Sequence, residues 1–317
     1  MKLFNYALLL VSALGAASLN AAAPACGTDR TTLVVGTQFG VPPYESLTTT
    51  TPLGATGFDI AIACELRKRL GYQNLSIRAI NPTEAANLAS GIVNLIISPL
   101  NEINPTTRVN VAQVKYADHG FGFLFSGTTL PDGITATTVF DNLTGPVGAL
   151  ENSFEGNILA AAGIAATPFD DVASAVLAVK AGTITAFFSN NVVVNTVVTA
   201  DPTTVALNDA VLPADDAFNP FRTTGIGIGV SPTCCQLYVN VRQAIADMVA
   251  DGTYAARARE NGVPTTFSAG ADITPAGCAT TTPRLVVRDP LVSFIFDKYC
   301  TCTPSVVTTI IPVSPID

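Results

Sequence analysis

The sequence predicts an α/β fold made of two successive series of strands and helices, followed by an irregular extension. Short β-branched runs alternate with amphipathic segments from residue 32 to residue 262, which is typical of mostly parallel sheets covered by helices. The chain has 317 residues, a length that fits about two domains at roughly 100–200 residues each. After residue 262 the composition changes to Thr, Pro and Gly with three cysteines, which predicts an extension with little regular structure.

The first series contains the clearest helix pattern. Asp59 is a suitable helix cap, Ile62, Leu66 and Leu70 follow at helical spacing, and Gly71 ends the pattern. β-Branched and apolar runs predict the strands around it. In chain order, the predicted elements are a strand at 32–37, this helix, a strand at 75–80, a short helix at 84–91 and a strand at 93–98.

The second series begins near Gly145 and has the same alternation, although the sequence shows no convincing internal repeat. Its predicted strands cover residues 147–149, 166–169, 184–188 and 224–230, and its predicted helices cover residues 153–163, 172–182 and 237–261. Two series of this kind predict two sheets, each with its own covering helices.

The N-terminus predicts export. Lys2 precedes an apolar run and then the small residues Ala21, Ala22 and Ala23, which together describe a secretory signal at residues 1–23. The apolar run is shorter than the about 20 residues that a membrane span needs. A retained N-terminal anchor is the alternative. We therefore expect a secreted protein, periplasmic or extracellular.

Composition limits the possible partners. The formal net charge is −8 and the sequence pI is about 4.6, whereas a nucleic-acid-binding surface needs a basic stripe. Nucleic acid is therefore excluded as a partner. No cofactor signature is present, because the chain has neither a P-loop nor a Rossmann glycine pattern.

Seven cysteines follow the predicted signal, and in an exported protein cysteines usually pair. The Cys234–Cys235 and Cys300–Cys302 spacings do not fit the usual zinc pattern, so disulfides are favoured over metal. The pairing cannot be deduced from sequence. The odd cysteine is free, intermolecular or lipid-modified, and the residues before Cys26 match a lipoprotein signal poorly.

Several motifs fall in an ordered series. They are Leu33–Thr37, Pro42–Glu45, Gly57–Asp59, Ser90–Ser98, Val114–Asp118, Val176–Gly182 and Asp251–Tyr254. In order and spacing this series resembles the bacterial extracellular solute-binding proteins of family 3, the polar amino-acid-binding proteins with the type II periplasmic-binding-protein fold. The resemblance covers about residues 30–262.

The resemblance implies a two-lobed type II fold with two crossover hinge strands. Lobe 1 would comprise residues 27–120 and 226–262, lobe 2 residues 121–225, and the cysteine-containing extension residues 263–317. It also implies a small-molecule ligand, an amino acid or another carboxylate, enclosed between the lobes and delivered to an ABC-type permease. Such a protein is not an enzyme.

The same resemblance implies a set of ligand-binding residues. In lobe 1, Arg108 would hold the ligand carboxylate with two parallel donors, helped by Asn101 and Ser98, although the loop that carries Arg108 is about two residues longer than is usual in the family. Phe39 lies near the position where the family stacks an aromatic ring on the ligand. We predict no catalytic and no metal-binding residues.

In lobe 2, Ser153 lies where the family places a ligand donor, but it is equally suitable as a helix cap. Asn190 stands where the family usually has the carboxylate that pairs with the ligand ammonium. Either the ligand lacks an ordinary ammonium group, or Glu151 supplies the charge, or binding has been lost. His119 replaces a family proline near the first crossover, and a structural role is expected for it.

Two alternatives remain open. One is a secreted or surface protein that kept the fold without ligand binding, favoured by Asn190, the low charge and the glycosylation sequons at Asn74 and Asn142. The other is a dehydratase-like enzyme, for which Glu151, Glu102 and Asp118 are the available carboxylates.

Overall fold

The computed structural model describes residues 26, 29–49, 53–80, 88–99, 111–222, 225–268, 272–275 and 278. The predicted signal peptide, the start of the predicted helix at 84–91 and the chain beyond residue 278 lie outside the described residues. So do Asn101, Glu102 and Arg108.

The described strands and helices alternate as the sequence predicts. The strands are β1 (Thr32–Thr37), β2 (Ser46–Leu47), β3 (Ala55–Thr56), β4 (Asn74–Ala79), β5 (Leu95–Ile96), β6 (Ala112–Ala117), β7 (Phe121–Ser126), β8 (Val147–Leu150), β9 (Ala166–Phe169), β10 (Ala186–Asn190), β11 (Thr204–Leu207) and β12 (Ile226–Val230). The α-helices are α1 (Phe58–Arg69), α2 (Val139–Asn142), α3 (Phe154–Ala161), α4 (Val172–Lys180), α5 (Asn191–Ala200), α6 (Cys235–Ala250) and α7 (Thr253–Glu260), and a 3₁₀ helix covers Asp216–Phe221.

Ten of these strands form two five-stranded sheets with the same topology, and β2 and β3 form a separate two-stranded sheet. The order is β4-β1-β5-β12-β6 in the first sheet and β11-β7-β10-β8-β9 in the second. β12 is antiparallel to β5 and β6, and β7 is antiparallel to β10 and β11. In each sheet the antiparallel strand is the one that follows a crossing from the other sheet. We call the first sheet with its helices lobe 1 and the second lobe 2.

Two short segments connect the lobes. Residues 118–120 lead from β6 in the first sheet to β7 in the second, and residues 222–225 lead from the 3₁₀ helix back to β12. Gly225 has a φ of 146°, and a Cβ there would lie 2.4 Å from Cε of Lys115 and 2.6 Å from the carbonyl oxygen of Ala117. At Gly225 the second crossover therefore lies directly against the end of β6.

The structure corrects three of the sequence predictions. The first helix begins at Phe58 with Gly57 as its N-cap, so Asp59 lies in the first turn and does not cap it. The helix predicted at 237–261 is two helices, because Gly252 adopts the left-handed conformation between them. β6, β7 and β11 were not predicted, since their runs lack clear turn residues at both ends.

The core of lobe 1 is packed with rings. Phe58 lies edge-on to Tyr44 and Tyr254 and is stacked on Tyr116, with ring centroids 5.5–6.3 Å apart. All four side chains are at most 1% exposed. Tyr44 is therefore a core residue, and burial of such rings is a major source of stability.

Two disulfides tie a residue before β1 and a residue after α7 to the start of α6. Cys26 pairs with Cys234, and Cys235 pairs with Cys278. Cys64 is the described cysteine outside these two bridges. The adjacent pair Cys234–Cys235 therefore fixes an N-terminal and a C-terminal segment at one point of lobe 1.

The described parts of the segment after α7, around Ser268 and at residues 272–275, pack along β6, which is an edge strand. Ile273 and Gln113 exchange two backbone hydrogen bonds of 3.0 and 3.1 Å. The Asp272 carboxylate accepts from the Lys115 N–H at 3.0 Å and lies 3.1 Å from Nε of Arg242. The segment thus covers the edge of the first sheet, where unpaired backbone groups would otherwise be exposed.

Replacing both Cys235 and Cys278 with Ser is expected to lower the free energy of unfolding by about 2–4 kcal/mol, because the bridge closes a loop of 43 residues. The β6 edge should then lose its cover, and amide hydrogen exchange at Gln113 should become faster. Urea unfolding and hydrogen exchange measure the two effects. The matched control replaces Cys26 and Cys234, whose bridge does not hold this segment. Equal exchange at Gln113 in both variants would contradict the expectation.

Candidate functional site

The candidate site lies where the carboxyl ends of the parallel strands of the two lobes meet, as open α/β sheets place their ligands. The loop after β1 reaches the start of α4 in lobe 2. There the Val172 N–H donates to the Gly40 carbonyl oxygen at 3.1 Å, and a Cβ on Gly40 would lie 2.8 Å from Cβ of Asp171. The lobes are therefore in direct contact at one edge of the cleft.

On the side of lobe 1, two carboxyl groups are buried together. Glu45 and Asp59 are at most 1% exposed, and the Tyr116 hydroxyl donates to Oδ1 of Asp59 at 2.8 Å. Burial raises the pKa of Asp59 to about 7. Burial and the neighbouring Asp59 raise the pKa of Glu45 well above its ordinary value, against a smaller lowering by the nearby Ser98 side chain. Ser98 thus lies at the predicted strand end, beside Glu45.

On the side of lobe 2, Ser153 is a helix cap. Its Oγ accepts from the Gly156 N–H at 3.0 Å at the start of α3, and the residue is 2% exposed. Of the two interpretations of Ser153, the cap is present in the structure. Because Oγ already accepts, the hydroxyl hydrogen remains available to donate.

Asn190 is also a helix cap. Its Oδ1 accepts from the Val192 N–H at 2.8 Å at the start of α5, and its Nδ2 lies 3.3 Å from Nδ1 of His119. The backbone N–H fixes the orientation of the amide, because a flipped amide would place two donors against each other. Nδ2 therefore donates to His119, and Nδ1 of that ring carries no proton.

His119 and Glu155 complete this cluster. With Nδ1 accepting, the neutral His119 ring carries its proton on Nε2, which lies 3.8 Å from Oε1 of Glu155. The side chains of both residues are at most 1% exposed, and the His119 ring lies edge-on to Phe121 and Phe154. Burial lowers the pKa of His119 to about 3 and raises the pKa of Glu155 to about 7.

The structure therefore brings Ser153 and Asn190 to the same edge of lobe 2, with His119 bonded to Asn190. Phe39 is half-buried on the loop after β1 and packs against the main core. Glu151, which was considered as a substitute charge, is exposed. Asp118 is held by Lys115 and Ser268 at 2.7 Å each, in a structural ion pair.

Sequence reasoning missed Glu155. Its neighbour Ser153 was predicted to be a helix cap or a ligand donor. Residues in the first turn of a helix that follows a strand end lie at the cleft edge, so the position of Glu155 could have identified it. His119 was placed near the crossover correctly, but its contact with Asn190 depends on the packing of two distant segments.

Within the described part of the chain, no group of three or more His, Cys, Asp and Glu side chains is arranged to hold a metal ion. No helix among the described residues is long and apolar enough to cross a membrane.

Comparison with protein-family models finds no match to this sequence, and comparison with curated proteins finds none either. Solved structures do match. A mutant of ArgBP from T. maritima has a TM-score of 0.62 at 20% identity, covering 74% of this chain and 96% of that chain. An amino acid ABC transporter substrate-binding protein from Streptococcus pneumoniae, bound to L-arginine, has a TM-score of 0.62 at 16% identity, covering 74% and 95%.

A third similar structure is the ancestral amino-acid-binding protein AncCDT-1, a precursor of cyclohexadienyl dehydratase. It has a TM-score of 0.60 at 20% identity and covers 74% of this chain and 96% of that chain. Together with the two equivalent sheets, these likenesses establish the two-lobed type II periplasmic-binding-protein fold. The fold predicted from the family resemblance is thereby confirmed.

Proposed function

We propose that this chain is an exported solute-binding protein that captures a small carboxylate-bearing ligand, an amino acid or a derivative, between its lobes. One observation carries the proposal. Polar side chains follow or end strands of both sheets, Ser98 in lobe 1 and Ser153 and Asn190 in lobe 2, and open α/β sheets bind their ligands at this edge. Three of the similar structures have names that describe them as binding arginine or amino acids.

The mechanism is capture by closure. By the family resemblance, Arg108 and Asn101 hold the ligand carboxylate on lobe 1, and Ser153 and Asn190 close over the rest of the ligand from lobe 2. The crossovers at residues 118–120 and 222–225 are the hinges. Delivery to an ABC-type permease, or presentation to a sensor, follows from the same resemblance.

Replacing Arg108 with Ala is expected to weaken carboxylate binding by at least about 100-fold, because two charge-assisted hydrogen bonds are lost together. Calorimetry on wild type and variant measures the change. Replacement of the exposed Arg259 on α7 with Ala is the control, and its affinity should stay at the wild-type value. Unchanged affinity in the Arg108 variant would show that another residue holds the carboxylate.

A protein that kept the fold and lost its ligand is the second candidate, and the absence of a carboxylate at Asn190 favours it. Native mass spectrometry of the freshly purified protein separates the two candidates. A bound small acid supports the receptor. A mass equal to that of the chain alone, together with no thermal stabilisation by any small acid, supports the second candidate.

The proposal is one of binding. One similar structure is a precursor of a dehydratase. Glu155 has a raised pKa, and a general acid needs a pKa near the working pH. Glu155 is therefore the residue to replace in a test for catalysis. Incubation with any acid that binds should return that acid unchanged. Loss of water from the ligand, abolished by Glu155→Gln, would identify an enzyme.

A further inference from the structure

We propose that lobe 2 recognises an oxygen atom of the ligand and not an ammonium group, so that the preferred ligands are α-hydroxy or α-keto carboxylic acids. The inference rests on the proposed function and specifies its ligand class. It depends on the hydrogen bonds that Asn190 and Ser153 of lobe 2 and His119 of the first crossover already make.

Asn190 is already bonded at both ends of its amide. Its Oδ1 is engaged by the Val192 N–H at 2.8 Å, and one hydrogen of Nδ2 points to Nδ1 of His119 at 3.3 Å. The second hydrogen on Nδ2 remains for a ligand as a donor, and the one lone pair left on Oδ1 carries no full charge. An ammonium group has only donors of its own, whereas a keto or hydroxyl oxygen accepts.

Ser153 has a donor left in the same way. Its Oγ accepts from the Gly156 N–H at 3.0 Å, which leaves the hydroxyl hydrogen to donate. Like the second Nδ2 hydrogen of Asn190, this group is suited to an oxygen acceptor. Two residues that end or follow the neighbouring strands β10 and β8 therefore carry the same type of hydrogen-bonding group.

Two glutamates lie in the part of lobe 2 that contains Ser153. Glu151 is exposed. Glu155 is 1% exposed and faces Nε2 of His119 at 3.8 Å, so the imidazole ring separates it from Asn190. Burial also favours the neutral form of Glu155. Of these two glutamates, neither places an ionised carboxylate beside Asn190.

The chemical consequence is discrimination at one atom of the ligand. An amino acid entering the cleft would bring its ammonium against N–H and O–H donors, with only the uncharged lone pairs of an amide and a hydroxyl in place of an ionised acceptor. The matching keto or hydroxy acid has the same carboxylate and side chain and satisfies both donors. Unpaired polar groups of this kind weaken binding by about tenfold to hundredfold.

The experiment compares matched acids on protein stripped of carried-over ligand. The probe sets are L-leucine with its 2-hydroxy and 2-oxo analogues, L-phenylalanine with phenyllactate and phenylpyruvate, and L-glutamate with 2-oxoglutarate. Calorimetry should show the oxo or hydroxy acid binding at least about tenfold more tightly than the amino acid in the set that fits. A preference for the amino acid would overturn the inference.

Asn190→Asp tests the residue itself. Aspartate caps helices as well as asparagine does, and its second oxygen adds the missing acceptor, so the preference should move toward the amino acid by about tenfold or more. Asn195→Asp is the matched control, since it adds the same charge to the exposed side of α5 and keeps an acceptor for Asn208. Equal preferences in the wild type and both variants would overturn the inference.

A ligand-free measurement separates this inference from the proposed function. His119 is the single histidine of the chain, so its two ring nitrogens are identified directly by ¹⁵N NMR. The wild type should show Nδ1 unprotonated and Nε2 protonated, and Asn190→Asp should transfer the proton to Nδ1. A wild-type ring protonated on Nδ1 would overturn the inference even if a ligand binds. No binding of any probe, with the expected ring state, would instead remove the proposed function.

Discussion

Replacing Gly57 with Ala is expected to prevent folding or to destabilise the protein by more than about 4 kcal/mol. Gly57 has φ 122° and ψ 177°, a conformation essentially restricted to glycine. An added Cβ would lie 2.2 Å from the carbonyl oxygen of Tyr44 and 2.6 Å from its carbonyl carbon. These are backbone atoms, so no rotation of a side chain relieves the contact.

The backbone cannot move away easily, because the two residues that follow Gly57 are bonded to the segment that it approaches. The Phe58 N–H donates to the carbonyl oxygen of Pro43, and the Asp59 N–H donates to that of Tyr44, each at 3.0 Å. Displacing this segment would break both bonds and move Phe58 out of the ring cluster of lobe 1. Soluble yield, circular dichroism and urea unfolding measure the effect.

Gly252 provides the control. It also has a positive φ, 79°, but an added Cβ would meet nothing within 4 Å. Gly252→Ala should therefore cost only the about 1–2 kcal/mol of the left-handed conformation. Similar losses in the two variants would show that the close approach of Gly57 to Tyr44 is not the dominant effect.

Stability is expected to fall as the pH rises from about 4.5 to 8. Glu45, Asp59 and Glu155 are buried acids with raised pKa values, about 7 for Asp59 and for Glu155. A raised acid pKa means that the folded state holds a proton that the unfolded chain has lost. Each such group favours folding at low pH, and its contribution is lost as the pH rises through the folded pKa.

His119 opposes this trend over part of the range. Burial lowers its pKa to about 3, so the unfolded chain binds a proton below pH 6.5 that the folded chain does not, and folding weakens as the pH falls. Because three carboxyl groups oppose one imidazole, the net result is that stability falls as the pH rises. For Asp59 and Glu155 together, the fall in the free energy of unfolding is of the order of several kcal/mol.

Thermal unfolding midpoints at pH 5 and pH 8 measure this net effect. The midpoint of the wild type should be higher at pH 5. Glu155→Gln removes one titration and should reduce the difference between the two pH values, mainly by raising the midpoint at pH 8. A wild-type midpoint that is constant or higher at pH 8 would contradict the protonated state of the buried acids.

Much of the fold could be predicted from the sequence, because its evidence is local. The β-branched run at Thr32–Thr37 and the helical spacing of Ile62, Leu66 and Leu70 each lie within one element, and the ordered motifs resemble one family. The strands that sequence reasoning missed are different. β7 follows a crossing between the lobes, and its place in the sheet depends on long-range pairing with β10 and β11 that a local pattern does not encode.

The candidate site could be predicted only by position. The family resemblance indicated Ser98, Ser153 and Asn190 by their positions near strand ends, but hydrogen-bond partners depend on segments far apart in the chain. His119 and Asn190 are separated by 71 positions, and their contact determines which group of Asn190 is left for a ligand. The same applies to Glu155, whose burial follows from the packing of Phe121 and Phe154 around His119.

Calorimetry on protein stripped of carried-over ligand tests the central claim most directly. The titrants are a panel of amino acids and of the matching hydroxy and oxo acids. The account predicts binding of one class of carboxylate with a Kd of about micromolar or below, and loss of that binding in Arg108→Ala. Absence of heat with every titrant, together with no thermal stabilisation, would contradict the claim that this protein captures a carboxylate between its lobes.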